Sequence, residues 1–461
     1  MRPAQRIAIA AIAFAAPPAA LAAGAAPVIF GVPIDFILFA LVLAGVALFH
    51  NKTLQVAVTG LVVISLYKML FSGFRTGAGI MGFISHLGHE WVIVVNLFCL
   101  LMGFALLSRH FEDSEIPKVL PRYLPDDWKG AFILLVMVFV LSSFLDNIAA
   151  ALIGGAMAHT VFRGKVHIGY LAAIVAASNA GGSGSVIGDT TTTMMWIDRV
   201  APSAVFHAYI AAGVALVVGG IPAALQQHAY SPIMKDEPEG THVDWPRAGV
   251  VAAILLAAVI VNVVVNTQFE AYSDHFPFLG AAVWIAILAT VPVRAPEWSL
   301  LPGAFRGSVF LLSLVLSASM MPVEQLPAAS WQTAFGLGFL SAVFDNIPLT
   351  ALALKQDGYD WGMLAYAVGF GGSMIWFGSS AGVAISNMYP EAKSVGRWVR
   401  HGWHVALAYV VGFAVLMATL GWQPTEKRVV KPAGGAAVSA PAQPAADADP
   451  AVDSEPMKKG Y

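Results

Sequence analysis

Apolar residues in this chain come in long runs rather than in stripes. Runs of the length a membrane span needs, roughly 17–25 residues, are predicted at 27–49, 53–72, 91–108, 203–225, 247–267, 277–293, 304–321 and 401–421. Four other segments cannot be read as simple spans. WKGAFILLVMVFVLSSFLDNIAAALIGGAMAHTVF, from Trp128, is too long for one crossing and carries Asp146 near its middle. SWQTAFGLGFLSAVFDNIPLTALALKQ, from Ser330, resembles it, with Asp345 in the corresponding place. The segments that begin at His167 and Asp360 are apolar runs broken by glycines and hydroxyl residues; the first contains SNAGGSGSVIGDTTTTMMW, from Ser178 to Trp196.

These odd segments repeat in order. LSSFLDNIAAAL (141–152) matches LSAVFDNIPLTAL (340–352), pairing Ser142 with Ser341, Asp146 with Asp345 and Asn147 with Asn346. Gly181-Gly182-Ser183 followed by Gly188-Asp189-Thr190 matches Gly371-Gly372-Ser373 followed by Gly378-Ser379-Ser380, with the same internal spacing. Each half then reads as span, span, span, hairpin, broken span, span. If the Asp-Asn hairpins enter and leave by one side, each half crosses an odd number of times and the second copy is upside down. The predicted fold class is an all-α polytopic membrane protein of two inverted repeats with re-entrant hairpins and broken transmembrane helices, an architecture common among secondary transporters.

Basic residues support that path. With the mature N-terminus outside, one face receives Lys52, Arg109, Lys118, Arg122, Lys129, Arg163, Lys165, Lys235, Arg247, Arg294, Arg306, Lys393, Arg397 and Arg400. The other receives Arg75, Arg199 and Lys355, with Lys427, Arg428 and Lys431 of the tail counting against the scheme. The asymmetry follows the positive-inside rule.

Composition agrees. Of 461 residues 58% are hydrophobic and 11% charged, against about 25% charged in a soluble protein, and mean hydropathy is +0.73. A net charge of −2 suggests no nucleic-acid role. The single cysteine, Cys99, excludes internal disulfides and reads as packing. Arg2, Arg6, a short apolar stretch and ALAAGA read as a signal peptide over 1–23. The divisions that follow are a first transmembrane repeat at 24–226 (hairpin 129–162, broken helix 167–198), a cytoplasmic linker at 227–246, a second repeat at 247–422 (hairpin 330–356, broken helix 360–388) and a disordered tail at 423–461.

Non-helical backbone at membrane depth is tolerated only where protein buries it or water wets it. Glycine allows the backbone conformations such a break needs. A break frees carbonyls and amides, aims half-helix ends at the midplane, and here adds the hydroxyls of Ser183, Ser185, Thr190, Thr191, Thr192 and Thr193. The carboxylates decide what such a site takes. An Asp at the centre of a membrane helix costs about 2.5–3.5 kcal/mol on insertion scales, and this chain has Asp146, Asp189 and Asp345 in or beside the breaks. That charge would repel a dicarboxylate and suits a hard cation. Burial favours the neutral form of an acid and a bound cation favours the carboxylate, so one acid can exchange H⁺ for Na⁺.

Plainer roles exist for the same residues. Asp146, Asp189 and Asp345 stand where helix caps belong, and capping is compatible with ion binding. Threonines in a helix return their hydroxyls to carbonyls. Asp35 and Lys68 lie near predicted span ends and read as interfacial. Asp198 reads as a solvated helix end, and His207 as an interfacial or core histidine.

At these motifs the chain resembles the ion transporter superfamily, and within it the NhaD-type sodium/proton antiporters. LSSFLDNIAAAL, SNAGG, IGDTTTTMMWI and FDNIPLTA carry the resemblance, which covers about 130–421. It implies that Ser142, Ser143, Asp146, Asn147, Asn179, Asp189, Thr191 and Thr192 serve Na⁺ or Li⁺ transport, joined in the second half by Ser341, Asp345, Asn346 and Thr350. Asp146, Asn147 and Asp189 are the expected Na⁺ ligands. Ser379 stands where the first half has Asp189, so the acid load is asymmetric. The expected protein is a homodimeric antiporter of the bacterial inner membrane, held in the lipid bilayer, with no cofactor beyond the transported Na⁺ and H⁺. A sodium-coupled carboxylate symporter is the nearest alternative; it would need a midplane Arg, Lys or free helix N-terminus. An intramembrane protease is remote, since Ser183 of Gly181-Gly182-Ser183-Gly184 has only His207 nearby as a base.

Overall fold

Helices dominate the described residues, as they must where lipid offers no partner to a backbone amide. The structure is a computed structural model that describes residues 27–49, 52–119, 123–234, 242–269, 272 and 275–427. The predicted signal peptide and the tail beyond Lys427 lie outside the described residues.

A two-residue β-hairpin, β1 (Val28–Ile29) with β2 (Val32–Pro33), leads into α1 (Ile34–Leu48). Next come α2 (Thr53–Tyr67), extended by a π turn at Lys68–Ser72, and α3 (Gly79–Glu112). The first hairpin is α4 (Trp128–Ser142) and α5 (Asn147–Val161), and the first broken helix is α6 (Ile168–Ser183) and α7 (Thr190–Ile197). The short helix Pro202–Phe206 and α8 (Ala208–Tyr230) close this half. The second half is α9 (Trp245–Gln268), α10 (Phe278–Thr290), α11 (Leu301–Ser319), the hairpin α12 (Trp331–Ser341) and α13 (Asn346–Gln356), and the broken helix α14 (Trp361–Gly371) and α15 (Ser380–Met388). It ends with the short helix Val395–His401 and α16 (Trp403–Leu420).

Among the described residues six stretches are long and apolar enough to cross a membrane: Thr53–Ser72, Gly79–Glu112, Pro202–Tyr230, Trp245–Val265, Trp298–Ser319 and Trp403–Leu420. With them the chain is an all-α polytopic membrane protein. The hairpin arms differ in kind. At 1.5 Å per residue the 15-residue arms of the first hairpin reach about 22 Å, less than the roughly 30 Å hydrocarbon core.

Packing repeats with the halves exchanged. α1 lies on α2 as α9 lies on α10; α2 meets α11 as α10 meets α3; α4 lies on α6 as α12 lies on α14. α5 packs on α15 and α13 on α7, so the second arm of each hairpin touches the broken helix of the other half. The pairs α3–α11, α6–α14 and α8–α16 are each their own counterpart. α6 and α14 form the centre: every residue in both is buried, which is why both read as apolar all round.

Several expectations need correction. The first span begins at Ile34, not at residue 27, because the hairpin precedes it. The third begins at Gly79, not at 91. Its first turns hold His86 and Glu90, which the hydropathy pattern rejects, yet His86 meets Ser319 at 3.0 Å and Glu90 meets Lys355 at 2.6 Å. Asp35 and Lys68 are not interfacial. Both are buried and pair at 3.3 Å, with the Ser72 hydroxyl donating to the same Asp35 oxygen at 2.8 Å across the π turn. The tail does not begin at 423. Gln423 donates its amide to Asp360, Thr425 accepts from the Trp361 indole at 2.7 Å, and Lys427 pairs with Asp198 at 2.6 Å.

Candidate functional site

Each break is built on close backbone crossings. A Cβ at Gly181 would stand 2.0 Å from the Phe139 carbonyl oxygen, and one at Gly188 would stand 2.1 Å from that of Ser142. The second half repeats this with Gly371 against Gly338 (2.2 Å) and Gly378 against Ala342 (2.5 Å). None of these four glycines has a positive φ. The sequence reading assigned them conformational freedom; the structure uses them for close approach between hairpin and broken helix.

Serines pin those crossings. Ser142 donates to the Ser178 carbonyl at 2.5 Å, and its counterpart Ser341 donates to Val368 at 2.7 Å. Ser143 donates to Gly181 at 3.1 Å. Within the first break Thr192 donates to the carbonyls of Ser185 (2.5 Å) and Asp189 (3.0 Å), and Thr193 to that of Val186 (3.0 Å). Ser183 returns its hydroxyl to Ala180 and Thr350 returns its own to Asn346. These hydroxyls hold the loop's shape through their protons, while each oxygen keeps its lone pairs.

The three acids all cap helices. Asp146 accepts from the Ile148 amide at 3.2 Å, Asp189 from Thr191 at 3.0 Å and Asp345 from Ile347 at 3.0 Å, each through one oxygen. What their second oxygens meet differs. Asp345 Oδ2 accepts from the Ser380 hydroxyl at 3.1 Å, and Thr190, the counterpart of Ser380, stands beside Asp146. Asp189, 2% exposed, keeps Oδ2 buried with no hydrogen-bond partner among the described residues. The adjacent Thr191 hydroxyl and the Asn346 amide nitrogen are likewise buried without one. Asp146 and Asp345 both lie near enough to Asp189 to act on it electrostatically. Among the described residues the three acids do not close into a cluster of three metal-binding side chains.

Amides link the halves. Asn147 Nδ2 donates to Asn179 Oδ1 at 3.0 Å, and Asn179 Nδ2 donates to Ser373 Oγ (2.9 Å) and Ser379 Oγ (3.1 Å). Thus Asn147 and Asn179 of the first half are tied to Ser373 and Ser379 of the second. The sequence reading left Ser373, Ser379 and Ser380 out of the site, although the repeat alignment already paired Ser379 with Asp189. Ser183 shows no nucleophile–base pair with His207, which is exposed. Beyond the C-terminal end of α7 a cavity of about 480 Å³ is lined by Glu90, Asn96, Asp198, Lys355 and Lys427 among others.

Comparison with known proteins gives two findings. A family model described as "Citrate transporter" (CitMHS) matches residues 28–371. "Sodium/proton antiporter 1" of Arabidopsis thaliana is 27% identical over 337 residues, which is 64% of this chain and 54% of that protein. "Na(+)/H(+) antiporter NhaD" of Vibrio parahaemolyticus is 25% identical over 299 residues, 54% of this chain and 71% of that protein. The protein of the same description from Halomonas elongata is 24% identical over 339 residues, 61% and 66% respectively. The chain thus spans about half the length of the first of these relatives.

Proposed function

We propose that this chain, which belongs to the citrate-transporter (CitMHS) family, exchanges Na⁺ or Li⁺ for H⁺ across a membrane by alternating access. The observation that carries the proposal is the second oxygen of Asp189. It is buried between two helix breaks, has no partner in hydrogen-bond geometry among the described residues although the Thr191 hydroxyl stands beside the carboxylate, and has Asp146 and Asp345 near enough to act on it electrostatically. A buried polar atom without a partner costs free energy. A proton or an alkali cation at that oxygen removes the cost, and the two exclude each other there. Competition for one carboxylate is sufficient for exchange, provided the site opens to each side in turn. The second repeat is the first inverted, and in this reading the two halves exchange conformations so that the site opens to each face in turn. Asp146, Asn147 and Asp189 with Asn179 and Thr191 form the ion-facing group; Ser142, Ser143, Thr192, Ser341 and Thr350 hold the breaks in shape; Asp345 and Asn346 complete the second half. We place the protein in a bacterial inner membrane, as a homodimer joined through the first spans of each half. The named antiporter relatives support the exchange reading.

The family description favours a second reading, sodium-coupled carboxylate symport. Against it stands the chemistry of the site: the acids bond to backbone amides and hydroxyls, and a dianion there would meet their charge. Everted vesicles with a pH-sensitive dye separate the two. Na⁺ or Li⁺ should dissipate an imposed ΔpH, and Asp146→Ala or Asp189→Ala should abolish the response. Uptake of citrate or succinate without a cation-driven pH change would overturn the antiport proposal.

A further inference from the structure

The two-fold relation between the breaks fails at one pair of positions. The repeat alignment pairs Ser183 with Ser373, Asp189 with Ser379 and Asn179 with Gly369. In one member of the pair a carboxamide fills the space: Asn179 Nδ2 donates to both Ser373 and Ser379. In the other there is no side chain at all. A Cβ built on Gly369 would find Ser183 Cβ at 3.5 Å, Asp189 Oδ2 at 3.7 Å and the Asn179 carbonyl oxygen at 3.9 Å. Ser183 and Asp189 are the counterparts of the two serines that Asn179 bonds. The fold therefore holds two related pockets. One is closed by hydrogen bonds and neutral. The other lacks that carboxamide and carries the charge: it has room beside Gly369 for a methyl-sized group in ordinary contact with its neighbours, and the unpartnered Asp189 oxygen faces it.

We propose that one alkali cation sits in this vacated pocket, between Asp189 Oδ2 and the Gly369 backbone, and that Gly369 is the residue that sets which ion size fits. The site is single because its counterpart is occupied by Asn179. Asp189 supplies the charge and the Asn179 carbonyl lies at its edge as a neutral oxygen, the donor type hard cations select. The inference rests on the antiport reading and adds the seat and its selectivity.

Gly369→Ala and Gly369→Asn test it, in proteoliposomes, with apparent KM for Na⁺ and Li⁺ read from ΔpH dissipation and thermal unfolding read in parallel. The alanine meets only ordinary contact distances and lies within a helix, which favours it over glycine, so this variant should fold. Its methyl should raise the KM for Na⁺ by about tenfold, the scale of one methylene in a fitted pocket, and that for the smaller Li⁺ by less. The asparagine should donate to Asp189 and Ser183 as Asn179 does to Ser379 and Ser373, stopping exchange of both ions without lowering thermal stability. If Gly369→Asn unfolds, the Na⁺-to-Li⁺ ratio in Gly369→Ala decides. An unchanged ratio, or a folded Gly369→Asn that exchanges normally, overturns the inference while leaving antiport intact. A wild type that shows no cation-driven pH change refutes the antiport reading and this inference with it.

Discussion

Replacing Asp189 with Asn separates the two duties the structure gives this residue. As a cap it accepts from the Thr191 amide at 3.0 Å through Oδ1. An Asn oxygen takes that bond equally well, and Asn ranks with Asp as a cap, whereas loss of a cap to Ala costs about 0.5–2 kcal/mol. As an ion ligand Asp189 offers charge, which Asn lacks. For a cation within about 4 Å, at an effective dielectric of about 20, that charge contributes about 4 kcal/mol, or roughly a thousandfold in affinity at about 1.4 kcal/mol per decade. Asp189→Asn should therefore melt within about 0.5 kcal/mol of wild type or above it, Asp189→Ala should melt lower, and neither should respond to Na⁺ at concentrations that saturate wild type. The assays are thermal unfolding in detergent and dye-reported ΔpH dissipation in everted vesicles. Asp189→Asn with a wild-type KM for Na⁺ would refute the assignment of the ion to this carboxylate; Asp189→Asn as unstable as Asp189→Ala would refute the cap.

Other residues give independent tests. Gly181→Ala places a methyl 2.0 Å from the Phe139 carbonyl oxygen, an overpacking that costs about 1–3 kcal/mol. It should lower the melting temperature and transport together, while Gly213→Ala, inside α8 with open space around it, should lower neither. Asp35→Asn leaves Lys68 buried without its counter-charge and should cost about 3–5 kcal/mol. The double replacement Asp35→Leu with Lys68→Met should recover much of that; a double variant that is stable yet inactive would show that the pair serves transport as well as folding. Arg294, hydrogen-bonded to Asp244 at 2.9 Å, holds the Asp244 carboxyl below its ordinary value of 3.8. A depressed folded value contributes stability above the ordinary value and loses it as pH falls through the folded one. Wild type and Asp244→Asn should thus differ in melting temperature at neutral pH and converge as pH drops below 3.8. A gap that widened in acid would contradict the pairing.

Much of the molecule was legible along the chain. Hydropathy alone exposed the long helices, and the recurrence of Asp-Asn and of Gly-Gly-Ser exposed the two halves. The three acids stood out because charge inside an apolar run has a cost that sequence alone reveals. Where the reading slipped, it slipped on polar residues whose partners lie far away. α3 was cut short at Trp91 because Glu90 and His86 look solvated until Lys355 and Ser319 are placed beside them. Asp35 and Lys68 looked interfacial because each stands near the end of its own run.

Apolar runs, the acids interrupting them and the internal repeat can be read along the chain, and the sequence determined them without help. Which hydroxyl is spent on a carbonyl, which glycine admits a crossing backbone, and which carboxylate oxygen is left without a partner depend on segments almost 200 positions apart, such as Asn179 and Ser373. Only the tertiary structure decides these, because a hydrogen bond is satisfied or orphaned by whatever chain happens to pack across from it.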